Sequence, residues 1–209
     1  MERVMEISDH ELMQKIKDGN IPAFDTLVKR WEHRLYNVVY KIIGDPETTR
    51  DICQDVFLQV YQSSKKYRPY AQFETWFYRI AINRSINELK KRKRHQTYSL
   101  TGDYDGEKDS FEDELLDPEP QPDEVAQQNE ISSCIQNALE NIPAEQRIVV
   151  ILRHYEGLKF QQIADILNCP LGTVKSRMYL AMDQLKTMSA EQIAADIDNV
   201  NASMRAMTT

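Results

Sequence analysis

The feature that most constrains the fold is the stretch from Tyr67 to His95, where an aromatic cluster passes directly into a basic run. Its apolar residues recur at helical spacing, and two amides continue the same side of the helix. These stripe residues are Phe73, Trp76, Phe77, Ile80, Asn83 and Asn87. The cations around its later part are Arg79, Arg84, Lys90, Lys91, Arg92, Lys93 and Arg94. The stretch therefore predicts one long helix with two chemically different ends.

This helix has two interpretations. Exposed aromatic rings beside cations suit nucleic acid whose bases are unstacked, because rings stack on bases and cations bind phosphates. A core helix with a solvated tail explains the same residues. The stretch alone leaves both interpretations open.

The overall charge argues at first against a nucleic-acid-binding protein, since the net charge is -7 and the pI about 5.2. However, the acids are concentrated between Thr101 and Glu124, where Lys108 is the one base. This segment is also rich in proline and poor in apolar residues, as flexible linkers are. Its acidity is consistent with mimicry of nucleic acid, and equally with a solvated tether.

Helical periodicity lies on both sides of this linker, and no segment alternates as a strand does. Four helices are expected before it, the first opened by a capping box from Ser8 to Glu11. The second half shows the same period through Leu139 and Ile142, with a helix ending at Gly157. The sequence thus predicts an all-α chain with two small helical domains, 1–96 and 125–188. They are joined by an acidic linker, 97–124, and followed by a tail, 189–209, in which one more helix is expected.

Several function classes are excluded or disfavoured. No apolar run is long enough to span a bilayer and the amino terminus lacks the layout of a signal peptide, so a cytoplasmic location is expected. Cys53, Cys134 and Cys169 are too scattered for a disulfide framework or a zinc site, and no metal or cofactor is predicted. The four histidines are dispersed and no phosphate-binding glycine loop is present, which makes an enzyme improbable.

Two short helices in the second half have the dimensions of a helix-turn-helix, Phe160 to Leu167 and Thr173 to about Met188. The second would leave polar residues exposed around its amino-terminal half, where a recognition helix meets DNA. These residues are Thr173, Lys175, Ser176, Arg177 and Tyr179.

Longer motifs carry a family resemblance. LENIPAEQRIVVILRHYEGLKFQQIADI with LNCPLGTVKSRMYLAMDQLK resembles the fourth region of bacterial sigma factors. AFDTLVKRW, DICQDVFLQVY and FETWFYRIAINRSINELKKRKR resemble the second region of the extracytoplasmic-function group of the sigma-70 family. The resemblance implies a dissociable specificity subunit of RNA polymerase that has no reaction of its own. It would bind the beta-prime clamp and beta flap of the core enzyme and direct it to promoter DNA.

The resemblance also implies roles for individual residues. Clamp contacts would come from Asp51, Gln54, Asp55, Phe57 and Gln59, although an ordinary amphipathic helix explains these residues as well. The minus-thirty-five element would be read by Lys159, Thr173, Lys175, Ser176, Arg177 and Tyr179. The minus-ten element would be melted and read by Tyr67, Arg68, Tyr70, Trp76, Arg79, Asn83, Arg84, Asn87, Lys91 and Arg92.

Within that set, the loop Tyr67 to Gln72 would capture a flipped base and Asn83 would wedge between unstacked bases. Phe77 is assigned to the core. The resemblance further implies inhibition by an anti-sigma factor, soluble or membrane-bound, that is relieved in a stress response. A conventional helix-turn-helix regulator is the alternative, but it leaves the first half unexplained.

The chain departs from the family at three positions. Leu180 and Met182 stand where many relatives carry arginines, so two phosphate contacts are expected to be missing. Lys159 replaces the usual Ser or Thr at the start of the first helix of the helix-turn-helix, at a cost of about 1 kcal/mol unless another group caps it.

Overall fold

The computed structural model describes residues 7–68, 72–99 and 136–206, with side chains described as far as residue 95 in the second range and residue 188 in the third. The described ranges are helical and contain no strand. The predicted all-α class is therefore confirmed. The acidic stretch from Thr101 to Glu124 lies outside the described residues.

The first three helices begin where short polar side chains cap them. Helix α1 (Asp9–Lys17) opens with the predicted capping box, in which the Ser8 hydroxyl accepts from the Glu11 amide and Glu11 accepts from Ser8 N–H at 2.8 Å. Asn20 caps α2 (Ile21–Ile43), which ends at Gly44 with a φ of 78°. Asp45 caps α3 (Pro46–Ser63) by accepting from Thr48 N–H at 2.9 Å. These caps satisfy amides that have no partner within the helix.

Helix α4 (Phe73–Ser99) completes the first domain by packing on α2 and α3. It runs beyond the predicted end near His95, and the helix covers the first residues that were assigned to the linker. Trp31 of α2 lies at the centre of its aromatic core, with ring centroids 4.9 Å from Phe77 and 5.5 Å from Phe73. Phe77 is completely buried, which confirms its assignment to the core.

In the second half, the described residues start with a helical segment over 136–140 and continue with α5 (Ala144–Val150). A π-helical turn, Ile151–Tyr155, extends α5 before Gly157 ends the segment with a φ of 68°. Helices α6 (Phe160–Leu167) and α7 (Leu171–Ala206) form the predicted helix-turn-helix around a left-handed Asn168. Buried residues of this half include Ile142, Ile148, Leu152, Ile163, Val174 and Ala181.

Helix α7 passes Met188 without a break. The prediction of a separate helix from Ser189 is wrong, because neither glycine nor proline interrupts the chain between Gly172 and Ala206.

The two halves pack against each other, with α6 on α4 and the π-helical turn on α2. Their buried side chains form one continuous cluster. Helix α4 thus packs with one side against α2 and α3 of the first domain and with another side against the helix-turn-helix.

Candidate nucleic-acid and polymerase interfaces

One face of α4 carries only part of the stripe predicted from the sequence, because Phe73, Phe77 and Ile80 are buried in the core. Arg79, Asn83 and Asn87 are exposed, whereas Trp76 is half-buried. Residues at this spacing lie above one another on one side of a helix. Lys90 and Arg94 continue the same side and line an open pocket with Asn87. A ring, two amides and three cations therefore form a single strip along the helix.

Tyr67, at the start of the loop before α4, is buried and holds the loop in place instead of being exposed to bind a base. Tyr67 is only 6% exposed, and its hydroxyl is hydrogen-bonded to His10 Nδ1 of α1. Its ring lies 4.9 Å from that of Trp76, and burial raises the pKa of Tyr67 to about 12. The ring is thus unavailable to stack on a base in this structure. Arg68 is exposed, and Tyr70 lies outside the described residues.

The remaining basic residues of α4 differ in their partners. Arg84 donates to Asp55 Oδ2 at 3.0 Å and to Gln59 Oε1 at 3.1 Å, so it lies against α3. Arg92 donates to Thr48 Oγ1 and to Asp45 Oδ2, on the side of α4 opposite Asn83. Lys91 is exposed beside Glu88. Because of its position, Arg92 supports the start of α3 and does not belong to the strip.

The outer face of α3 bears most of the residues predicted to bind the polymerase. Asp51, Gln54 and Asp55 are exposed and Gln59 is half-buried. Phe57 instead points into the core, 9% exposed and 5.9 Å from the Phe77 ring. Its neighbour Leu58 is 54% exposed and lies one turn after Gln54. Sequence periodicity did not single out Leu58, and only the exposure of its side chain identifies it.

The helix-turn-helix presents a polar surface at the start of α7. Lys175, Ser176 and Tyr179 are exposed and Thr173 is half-exposed. Arg177 lies at the edge of this surface, paired with Glu145 and lining a cleft between α5 and α4 that also includes Lys90 and Lys93.

Lys159 precedes α6 with its side chain exposed. Its backbone N–H donates to Gln162 Oε1 at 2.8 Å, so Gln162 supplies part of a capping box. The cost expected from the missing Ser or Thr is therefore offset in part.

Several polar contacts join the two halves. Glu156 accepts from Arg34 Nη2 at 2.9 Å and from the buried Tyr78 hydroxyl, while its own side chain is only 7% exposed. Burial and the neighbouring carboxylate raise the pKa of Tyr78 well above its usual range. Arg79 Nη2 donates to the Asp165 carbonyl at 2.5 Å, and Gln162 donates to Gln72 at 2.6 Å. Arg79 of the α4 strip thus contacts the helix-turn-helix directly.

Among the described residues, no three His, Cys, Asp or Glu side chains converge as metal ligands would. Within the same ranges, no helix combines the length and apolarity that crossing a membrane requires.

Family models match both halves of the chain. The description "Sigma-70 region 2" matches residues 27–95, and "Sigma-70, region 4" matches residues 132–185. The RNA polymerase sigma-H factor of Pseudomonas aeruginosa is 30% identical over 177 residues, which cover 85% of this chain and 91% of that protein. The ECF RNA polymerase sigma-E factor of Escherichia coli K12 is 29% identical over 182 residues, or 86% and 93% of the two chains.

Two solved structures share the fold. CnrH in complex with the cytosolic domain of CnrY superposes with a TM-score of 0.64 at 18% identity, over 88% of this chain and 97% of that one. The sigma factor RpoE of Bartonella quintana, in complex with the anti-sigma factor NepR, gives 0.60 at 19% identity, over 80% and 96%.

Proposed function

The chain belongs to the extracytoplasmic-function group of the sigma-70 family of RNA polymerase sigma factors, and we propose on that premise how its residues divide promoter recognition. Domain 1–96 binds the core enzyme and melts the minus-ten element. Domain 125–188 binds the beta flap and the minus-thirty-five element. The protein acts in the cytoplasm as a specificity subunit and has no reaction of its own.

The observation that carries this proposal is the strip on α4, in which Trp76, Arg79, Asn83 and Asn87 share one side. Opening a duplex costs about 1–2 kcal/mol per base step, and stacking a freed base on a side chain returns a similar amount. A ring and amides beside cations supply stacking, hydrogen bonds and phosphate contacts together. Asn83 is the wedge, while Arg68 and Gln72 flank the loop that captures a base.

We exclude two residues, Tyr67 and Arg92, from the proposed direct contacts with the minus-ten element. Tyr67 holds the loop in place through His10, and Arg92 holds the start of α3 through Asp45. We therefore assign both residues a positioning role. Tyr70, Arg84 and Lys91 stay in the proposed minus-ten set, with Arg84 shared between DNA and the α3 surface.

Binding both promoter elements requires the two halves to separate. The minus-ten and minus-thirty-five elements are, as their numbering says, roughly 25 base pairs apart. This separation is on the order of 85 Å at 3.4 Å per base pair. In the structure, Arg79 and Asp165 are hydrogen-bonded. Binding of the core enzyme would therefore replace the contacts that Glu156, Gln162 and Asp165 make with the first domain.

An anti-sigma factor is the expected regulator, released in a stress response. RpoE of Bartonella quintana was solved with the anti-sigma factor NepR. We propose a comparable partner for this chain, soluble or membrane-bound. The match of residues 27–95 to region 2 favours a sigma factor over a conventional helix-turn-helix regulator.

Replacing Asn83 with alanine should impair open-complex formation while leaving core binding intact. Its exposed amide would no longer hold unstacked bases apart, so the barrier to melting rises. The measurement is permanganate reactivity of promoter thymines with reconstituted holoenzyme. A promoter with a preformed bubble should restore transcription, because the melting step is then already complete.

Asn37→Ala is the matched control, since Asn37 is exposed in the middle of α2. It should melt the duplex promoter normally. Normal melting by Asn83→Ala would remove Asn83 from the proposed site.

Replacing Leu58 with aspartate should weaken core binding at least tenfold, because a buried apolar contact of leucine size contributes about 1.5–3 kcal/mol. The measurement is the affinity of the full chain for core polymerase without DNA. Asn37→Asp introduces the same charge elsewhere and should bind as wild type does. Equal affinities of Leu58→Asp and wild type would show that the α3 face is not the docking surface.

A further inference from the structure

The amino-terminal half of α7 exposes two large apolar side chains to solvent. Tyr179 is 73% exposed and Leu180 is 46% exposed, although large apolar side chains of a helix usually face the core. The core side of α7 is occupied by Val174 and Ala181, both completely buried. Leu180 lies one turn after the exposed Ser176, so these two side chains are neighbours on the outward side.

This apolar pair lies among groups that suit DNA. Lys175, one turn before Tyr179, supplies a cation for phosphate, and Ser176 supplies a hydroxyl. Arg177 is turned towards the cleft beside α4 and is paired with Glu145. On the outward side of α7, the Ser176 hydroxyl is therefore followed by the isobutyl group of Leu180, and Arg177 lies at the edge.

An aliphatic side chain in the major groove has one distinctive partner. Thymine carries a 5-methyl group there, whereas the other bases present hydrogen-bonding groups that leucine cannot satisfy. We propose that Leu180, assisted by Tyr179, determines specificity in the minus-thirty-five element by contacting thymine methyl groups. This inference rests on the proposed assignment of α7 as the recognition helix.

The test uses holoenzyme with the full chain and a promoter identified by mapping transcription starts after overproduction. Each position of its minus-thirty-five element is made thymine or uracil in turn, since uracil differs only by the missing methyl group. Wild-type holoenzyme should bind the thymine form about fourfold more tightly at one or two positions, the ratio expected for burial of one methyl group. In Leu180→Ala the ratio at those positions should fall close to one.

Gln184→Ala is the matched control, because Gln184 is exposed one turn after Leu180 on α7. It should keep the wild-type ratio of thymine to uracil binding. A ratio that Leu180→Ala leaves unchanged, or no thymine preference at any position, would overturn the inference.

A third variant, Lys175→Ala, distinguishes a wrong thymine contact from a wrong assignment of α7 as the recognition helix. It should weaken binding to thymine and uracil forms alike and lower the salt slope by about one. If Lys175→Ala weakens binding while Leu180→Ala keeps the ratio, only the thymine contact is wrong. If neither Lys175 nor the minus-thirty-five sequence affects binding, the assignment of α7 itself is wrong.

Discussion

Replacing Phe77 with alanine should lower the free energy of unfolding by about 3–5 kcal/mol, the usual cost of truncating a buried phenylalanine. Its ring is completely buried between α2, α3 and α4, within 6 Å of the centroids of Trp31, Phe57 and Phe73. The space left behind cannot be filled without moving these rings. Urea unfolding followed by tryptophan fluorescence measures the loss, because Trp31, one of the two tryptophans, packs against Phe77.

The neighbouring Trp76 gives the opposite expectation. Trp76 is only half-buried and lies on the exposed strip. Trp76→Ala should therefore destabilise the protein less than Phe77→Ala does, but it should impair open-complex formation more. These adjacent aromatics therefore separate packing from DNA binding. A Phe77→Ala protein as stable as wild type, or a Trp76→Ala protein that melts promoters normally, would contradict the division.

Much of the fold was predictable because its signals are local. The capping box at Ser8, the glycine at residue 44 and the period of α2 each involve neighbouring residues, and each predicted its element correctly. The π-helical turn at Ile151–Tyr155 was missed, since an i+5 hydrogen bond leaves no clear pattern in a short apolar run. The continuity of α7 past Met188 was not predicted, although neither glycine nor proline interrupts the chain there.

The exposure of the proposed interface residues was predictable by helix face but less so for individual side chains. The exposed positions Asn83, Lys175 and Asp51 follow from helical period alone. The burial of Tyr67 depends on His10, which is 57 residues away along the chain, so no local pattern could reveal it. The exposed leucines are the converse case. Leu58 and Leu180 would be assigned to the core by composition, and only the packing of their helices turns them outward.

Arginines were the residues that sequence assigned least specifically. Arg84, Arg92 and Arg177 were all interpreted as DNA contacts because they lie in basic or recognition segments. Each has a carboxylate partner outside its own helix: Asp55 of α3, Asp45 at the cap of α3, and Glu145 of α5 respectively. Such exposed pairs contribute about 0–1 kcal/mol, so a phosphate competes with them easily. In the proposed promoter complex, their positions relative to the DNA, rather than their ion pairs, would therefore determine which of them bind it.

Replacing Glu156 with alanine should lower the free energy of unfolding by about 2–3 kcal/mol, an effect that no sequence pattern indicated. The change leaves the completely buried Tyr78 hydroxyl without its acceptor, which costs about 1–3 kcal/mol. The Arg34 contact adds less, because the Arg34 side chain is 48% exposed. Urea unfolding of the full chain provides the measurement.

Glu74→Ala is the matched control, since Glu74 also accepts from Arg34 Nη2 at 3.0 Å, whereas the Tyr78 hydroxyl donates to Glu156. It should cost less than about 1 kcal/mol. In a Tyr78→Phe background the cost of Glu156→Ala should fall, because no hydroxyl is then left unsatisfied. An equal cost in both backgrounds would show that Glu156 acts without Tyr78. A reduced cost would identify this hydrogen bond as a polar link between the two halves, and thus as one of the contacts that their proposed separation on promoter DNA would break.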